Sequence, residues 1–180
     1  MLYNWDEINR ELGSPLKVRE AVSNGEIYKV RRGLYSDKLS VSPFGIVAVK
    51  YPNAIITMDT AFFVHGLTDV IPDKIYLATK RNATRITDND VIQVFLSDRI
   101  FEHGKIQIDY DGVAINVYDR ERMLVEAMRN SKSIPFDYYK EIIESYRRIS
   151  GELDCQKVEE YIAVFKRNQY LTNIFQREVL

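Results

Sequence analysis

The chain has almost no cysteine: Cys155 stands alone among 180 residues. An internal disulfide is therefore excluded, and a reducing compartment is favoured. Long apolar runs are missing too. No stretch approaches the roughly 18 residues of a membrane span, and the N-terminus lacks a signal-peptide pattern. The sequence reads as soluble and cytoplasmic, with no membrane partner. Charge of one sign is also scarce, with 25 Lys and Arg against 26 Asp and Glu. A generally basic coat is ruled out, so any surface for nucleic acid has to be local. There is no P-loop, no dinucleotide-binding glycine pattern and no zinc-ligand spacing. Neither a cofactor nor a resident metal is expected.

What remains is ample for a core. Hydrophobic residues make up 46% of the chain and aromatics 12%, a globular rather than a disordered composition. A chain of this length buries about 70% of its unfolded surface when it folds as one body.

The first 37 residues read as one unit. Asn4 with Glu7 three residues on is a capping-box pattern, and Trp5, Ile8 and Leu12 share a helical face. Gly13 stops that helix. Ser14 caps the next, with Pro15 at its first position. Val18, Ala21 and Val22 face inward on it, and Asn24-Gly25 ends it. Ile27, Tyr28 and Val30 then alternate as a strand, Gly33 turns, and Leu34-Tyr35 returns. Helix, turn, helix and basic hairpin together make a winged helix-turn-helix pattern. From Leu16 to Arg32 five cations (Lys17, Arg19, Lys29, Arg31 and Arg32) stand against Glu20 and Glu26, a surplus of three. A wing places cations on a phosphate backbone, so double-stranded DNA is the expected partner. Ser14, Lys17, Arg19, Lys29, Arg31 and Arg32 are the expected DNA-binding residues.

After a polar connection at 38–42, a second domain is expected over 43–180. A helix is predicted from Pro43 to before Pro52, and another from Met58 or Asp59 to His65-Gly66. Ile75–Ala78 and Val91–Phe95 read as buried strands. Lys105–Asp109 and Val113–Tyr118 alternate around Asp111-Gly112, a hairpin signal. Three helical stretches follow: Arg120–Arg129, Tyr138–Ile149, and Cys155 to about Gln176 with a break near Asn168. The class is α+β: a short N-terminal winged helix-turn-helix unit, then a mixed α/β domain with a helical C-terminal tail.

Three blocks in this order resemble the AbiEi family of type IV toxin–antitoxin antitoxins, which act in abortive infection. They are Asn24–Tyr35, Thr60–Thr68 followed by Ile71-Pro72, and Val117–Leu124. The resemblance implies a winged helix that binds operator DNA and represses its own operon. It also implies a C-terminal domain that carries the antitoxic activity. The functional partner would be a nucleotidyltransferase-like toxin, neutralised without a stable complex. Winged helix domains usually have three helices, yet only Met1–Tyr3 precede the Trp5 helix. The first helix is thus expected to be missing or supplied from elsewhere. Three to five phosphate contacts per protomer bind weakly, so a homodimer or cooperative binding on an inverted repeat is expected.

Other residue patterns carry competing readings. Asp109 and Asp111 would suit a metal-dependent nucleotide- or nucleic-acid-modifying enzyme. A hairpin turn suits them better, and a strand-entry loop suits Asp88-Asn89-Asp90 better. His65 before Gly66 reads as a cation at a helix C-terminus, and His103 likewise. Cys155 with either histidine could mimic a thiol-protease pair, but it opens a helix and no third group to orient the pair stands out. Tyr138, Tyr139, Ile142, Ile143 and Tyr146 are helical in period and read as core. Arg147-Arg148 and Lys166-Arg167 read as solvated faces. A non-catalytic scaffold that binds protein alone is the remaining alternative. The expectation is no enzyme.

Overall fold

Two side-chain caps start the fold. In the computed structural model, which describes residues 1–165 and 168–179, strand β1 (Leu2–Asn4) runs straight into helix α1 (Trp5–Leu12). Asn4 closes the expected capping box: its Oδ1 accepts from Glu7 N at 2.9 Å, and Glu7 Oε2 accepts from Asn4 N at 2.8 Å. Such a cap contributes about 1 kcal/mol. Helix α2 (Pro15–Ser23) follows, with Ser14 Oγ accepting from Lys17 N at 3.3 Å. Strands β2 (Tyr28–Arg31) and β3 (Leu34–Ser36) form the hairpin, and helix α3 (Pro43–Lys50) comes next.

The first three strands make a sheet in the order β1-β3-β2, antiparallel throughout. Its two faces are covered differently. On one face Tyr35 packs with Ile8 of α1 and Val18 of α2. On the other, Leu2 and Leu34 pack with Ile46 of α3, flanked by Val30 and Val113. Helix α3 therefore covers a sheet face that α1 and α2 leave open. Met1–Tyr3 are not a stub in front of the first helix; their backbone completes the sheet beside β3.

The chain divides elsewhere than at the 37–43 connection. Contacts group Met1–Ala54 with Gln107–Asn116, and Ile55–Ile106 with Val117–Leu180. The physical reason is α3. Its Ile46 belongs to the sheet core, and a side chain at Gly45 would meet Val113 at 3.0 Å.

The second unit is built on strands β4 (Ile55–Ile56), β5 (Ile75–Lys80) and β6 (Val91–Leu96), with helix α4 (Met58–Val64) between the first two and short helix α5 (Asp98–Phe101) after the third. Hairpin strands β7 (Lys105–Tyr110) and β8 (Val113–Tyr118), whose residues Gln107–Asn116 group with the first unit, follow in the strand order β6-β5-β4-β8-β7. The hairpin turns at Asp111 (φ 55°) and Gly112 (φ 83°), the left-handed pair that an Asp-Gly turn supplies. Strand β6 departs from expectation. It is half-buried rather than buried, with Phe95 exposed, because it forms the sheet edge.

The C-terminal part is helical: α6 (Arg120–Asn130), α7 (Phe136–Arg148), a 3-10 turn at Ser150–Glu152, α8 (Cys155–Val164) and α9 (Asn168–Glu178). The helical stretch from Cys155, expected to break near Asn168, ends its first helix at Val164 before Phe165, whose backbone is extended, and resumes at Asn168; Lys166 and Arg167 lie outside the described residues. Ile142, Ile143 and Tyr146 are buried, as their period suggests, while Tyr138 and Tyr139 are half-buried. Within this unit Arg122 is fully buried. Its guanidinium donates to Glu126 Oε1 at 2.6 Å and to the Ile100 carbonyl at 3.0 Å, and lies over the rings of Tyr118 and Phe165. Glu126 also receives Arg129 at 2.6 Å. Among the described residues no helix is long and apolar enough to cross a membrane. The fold is α+β.

Candidate functional site

Helix α2, its cap Ser14 and hairpin β2–β3 carry the expected residues, all within the first unit. Helix α2 buries Val18 and Ala21, which turns Lys17 and Arg19 to the surface. Strand β2 alternates half-buried and exposed, leaving Lys29 and Arg31 outward. The two strands are joined by Arg32 and Gly33 alone. Gly33 sits at φ 77°, a left-handed conformation that suits glycine and allows the tight tip. Arg32 at that tip is exposed. Among the described residues Lys17, Arg19, Lys29 and Arg32 have no ion-pair partner, whereas exposed Arg31 also interacts within the molecule. Unpaired cations on neighbouring elements are suited to phosphate, because no internal bond has to be broken before contact.

Ser14 and Asn24 serve the backbone. The Ser14 hydroxyl caps α2, which fixes the helix N-terminus and hence Lys17. Asn24 ends the helix with its N–H on the Glu20 carbonyl at 2.8 Å, before Gly25 at φ 73°.

A second concave site lies in the other unit, where the Thr60–Thr68 and Val117–Leu124 blocks meet. Its volume is about 450 Å³, and its lining includes His65, Thr68, Asp69, Arg120, Glu141 and Arg148. His65 Nε2 lies 2.6 Å from the Tyr118 carbonyl. Since a carbonyl only accepts, the ring nitrogen carries the proton and donates. Burial pushes the His65 pKa down, more than the bond to Tyr118 raises it. The shift favours the neutral imidazole, against the reading of His65 as a cation at the helix end. Its place at the C-terminal cap of α4 does match that reading. Thr68 donates to Glu141 Oε1 at 2.8 Å, Arg120 to Glu152 at 3.1 Å and Arg148 to Ser145 Oγ at 2.8 Å.

The third block is mostly structural, a role its polar letters conceal. Asp119 caps α6 by accepting from Arg122 N at 2.8 Å and also receives the Tyr161 hydroxyl at 2.8 Å. Burial raises the Asp119 pKa, opposed by that backbone bond. The only sequence signal for the buried Arg122–Glu126–Arg129 chain is its spacing, four residues and then three.

Elsewhere the charged pairs are spent on turns. Asp109 Oδ1 accepts from Gly112 N at 3.0 Å, and Asp88 Oδ1 accepts from Asp90 N at 3.2 Å. Among the described residues no group of His, Cys, Asp and Glu is placed to hold a metal. Cys155 opens α8, with its thiol 4.0 Å from the Leu153 carbonyl. The His103 carbonyl accepts from Arg122 at 3.4 Å. Arg147 and Arg148 are exposed.

No protein-family model matches the chain, and no curated protein matches its sequence. Its fold is similar to that in the crystal structure of the RV2827C protein from Mycobacterium tuberculosis. The TM-score is 0.56 at 13% identity, over 96% of this chain and 71% of that one. At that identity the likeness concerns the fold alone.

Proposed function

We infer that this protein is a DNA-binding antitoxin of the AbiEi type, and the autorepressor of a type IV toxin–antitoxin operon. The observation that carries the DNA reading is the set of cations Lys17, Arg19, Lys29 and Arg32, of which Arg19 and Lys29 line one pocket. All four are exposed and without an ion-pair partner among the described residues, on a helix-turn-helix followed by a hairpin. Helix α2 enters a groove with Ser14 and Lys17 foremost, while Lys29, Arg31 and Arg32 hold flanking phosphates. A single copy makes too few contacts for useful specificity, so two copies act on an inverted repeat.

The second unit supplies antitoxicity toward a nucleotidyltransferase-like toxin in the cytoplasm, without a stable complex and without catalysis. The meeting of the second and third family-like blocks around His65 and Arg120 favours this region for that role. Its charges balance, Asp69 and Glu141 against Arg120 and Arg148, which suits transient polar contacts better than a tight anion site.

The test is a gel-shift titration with the DNA upstream of the gene, at two salt concentrations, beside unrelated DNA of equal length. Three to five phosphate contacts give a slope of log K on log salt of roughly −3 to −4.5 per protomer. Tighter binding to the upstream DNA with that slope supports a repressor. Equal affinity for both DNAs, or no binding at low salt, rejects it.

A further inference from the structure

Between α2 and the edge of the N-terminal sheet lies a pocket of about 410 Å³. Trp5, Val18, Arg19, Val22, Lys29 and Tyr35 line it. The volume is in the range of small-molecule sites. Its wall is aromatic: the Trp5 and Tyr35 rings are 5.8 Å apart at 47°. Tyr35 is a core residue, but Trp5 remains 37% exposed. An aromatic ligand laid on that indole would remove apolar surface from water and gain a stacking contact.

The rim has one sign of charge. Arg19 and Lys29 stand on it, no acidic residue lines the pocket, and the Ser23 side chain adds a polar group. Neither cation has an ion-pair partner among the described residues. A forked guanidinium beside an ammonium fits a phosphate group, the first bidentate and the second as a point charge. The His65 pocket offers no such selection, because its two cations face two carboxylates.

The geometry points to a binding site for a nucleoside monophosphate, with its base against Trp5 and its phosphate on Arg19 and Lys29. One consequence rests on the proposed function. Arg19 and Lys29 are also assigned to DNA phosphates, so a bound nucleotide occupies cations that the operator needs. Nucleotide and operator exclude one another, and the nucleotide acts as an inducer.

Trp5 is the sole tryptophan of the chain, so the selectively excited indole fluorescence of the full-length protein reports on this pocket. Adenosine 5′-monophosphate should change it saturably. Adenosine and inorganic phosphate should each bind at least about tenfold more weakly, since each lacks one of the two contacts. The Arg19→Ala/Lys29→Ala variant, with an unchanged circular dichroism spectrum, should weaken the monophosphate about tenfold or more. Should that variant misfold, the three-ligand series on the unaltered chain carries the test. No saturable change with the monophosphate, or equal binding of monophosphate and adenosine, overturns the site. Monophosphate binding that fails to displace operator DNA overturns the exclusion. Absence of any DNA binding rejects the repressor reading instead, and leaves the fluorescence result to stand by itself.

Discussion

Lys29 stands opposite Tyr35 in the β2–β3 ladder. Directly opposed residues project from the same sheet face, so the Lys29 side chain leaves the sheet on the side of Tyr35, which packs with Val18 of α2. The hairpin thus aims a cation toward the helix that carries Lys17 and Arg19. Lys29 and Arg19 accordingly line one pocket beside α2.

Cations held on phosphate have a salt signature. Removing any one phosphate-contacting cation, Lys29→Ala for example, should reduce the slope of log K on log salt by about 0.9. Affinity for specific and unrelated DNA should fall in parallel. Fluorescence anisotropy over a salt series measures both. An unchanged slope in Lys29→Ala would remove that residue from the interface.

The Ser14 cap separates helix stability from cation contact. Ser14→Ala removes the acceptor for Lys17 N and should lower unfolding free energy by about 1 kcal/mol in urea titration. A base contact by Ser14 would add a loss of discrimination among operator variants. The cap alone would weaken all DNAs equally.

In the second unit the Arg122–Glu126 pair is buried, with Arg122 also on two backbone carbonyls. Arg122→Ala leaves Glu126 with Arg129 as its one close cation and strips two backbone carbonyls of their donor, and should cost about 3 kcal/mol by chemical denaturation. Lysine is no substitute, because it lacks the planar fork and the stacking on Tyr118 and Phe165. Gly104→Ala should be comparably harmful. Gly104 lies at φ 78°, and an added Cβ would meet Arg122 Cβ at 2.5 Å.

His65 should give stability a pH dependence of definite sign. Burial lowers its pKa from 6.5, so the folded state binds fewer protons than the unfolded state. The stability it contributes is present in full above pH 6.5 and is lost as pH falls through the folded pKa. Urea midpoints at about pH 7.5 and about pH 5.5 should differ more in the native protein than in His65→Gln, whose amide keeps a donor for Tyr118. Equal differences would mean that His65 titrates normally.

The local parts of the fold were legible in the sequence. The Asn4–Glu7 box, the Ser14-Pro15 start, the Gly33 turn and the Asp111-Gly112 hairpin each depend on neighbours a few residues apart. Strand β1 was hidden because three residues show no period, and their partner β3 lies about 30 residues on. The place of α3 was hidden for a similar reason: Ile46 finds Leu2 and Leu34 only in three dimensions. The burial of Arg122 and Glu126 was not legible, since burial of a charge is decided by carbonyls and rings that come from other elements. The cation cluster was legible residue by residue. The pocket beside it was not, because its wall joins Trp5 to Tyr35 across the sheet and helix layers.

The most direct measurement is anisotropy of labelled upstream DNA with the charge-reversed variant Lys29→Glu/Arg32→Glu, its fold checked by circular dichroism. The expected result is a loss of affinity on the order of 100-fold at low salt, two charge-assisted contacts at about tenfold each. Affinity equal to that of the unaltered protein, with the fold intact, would contradict a DNA interface on this hairpin.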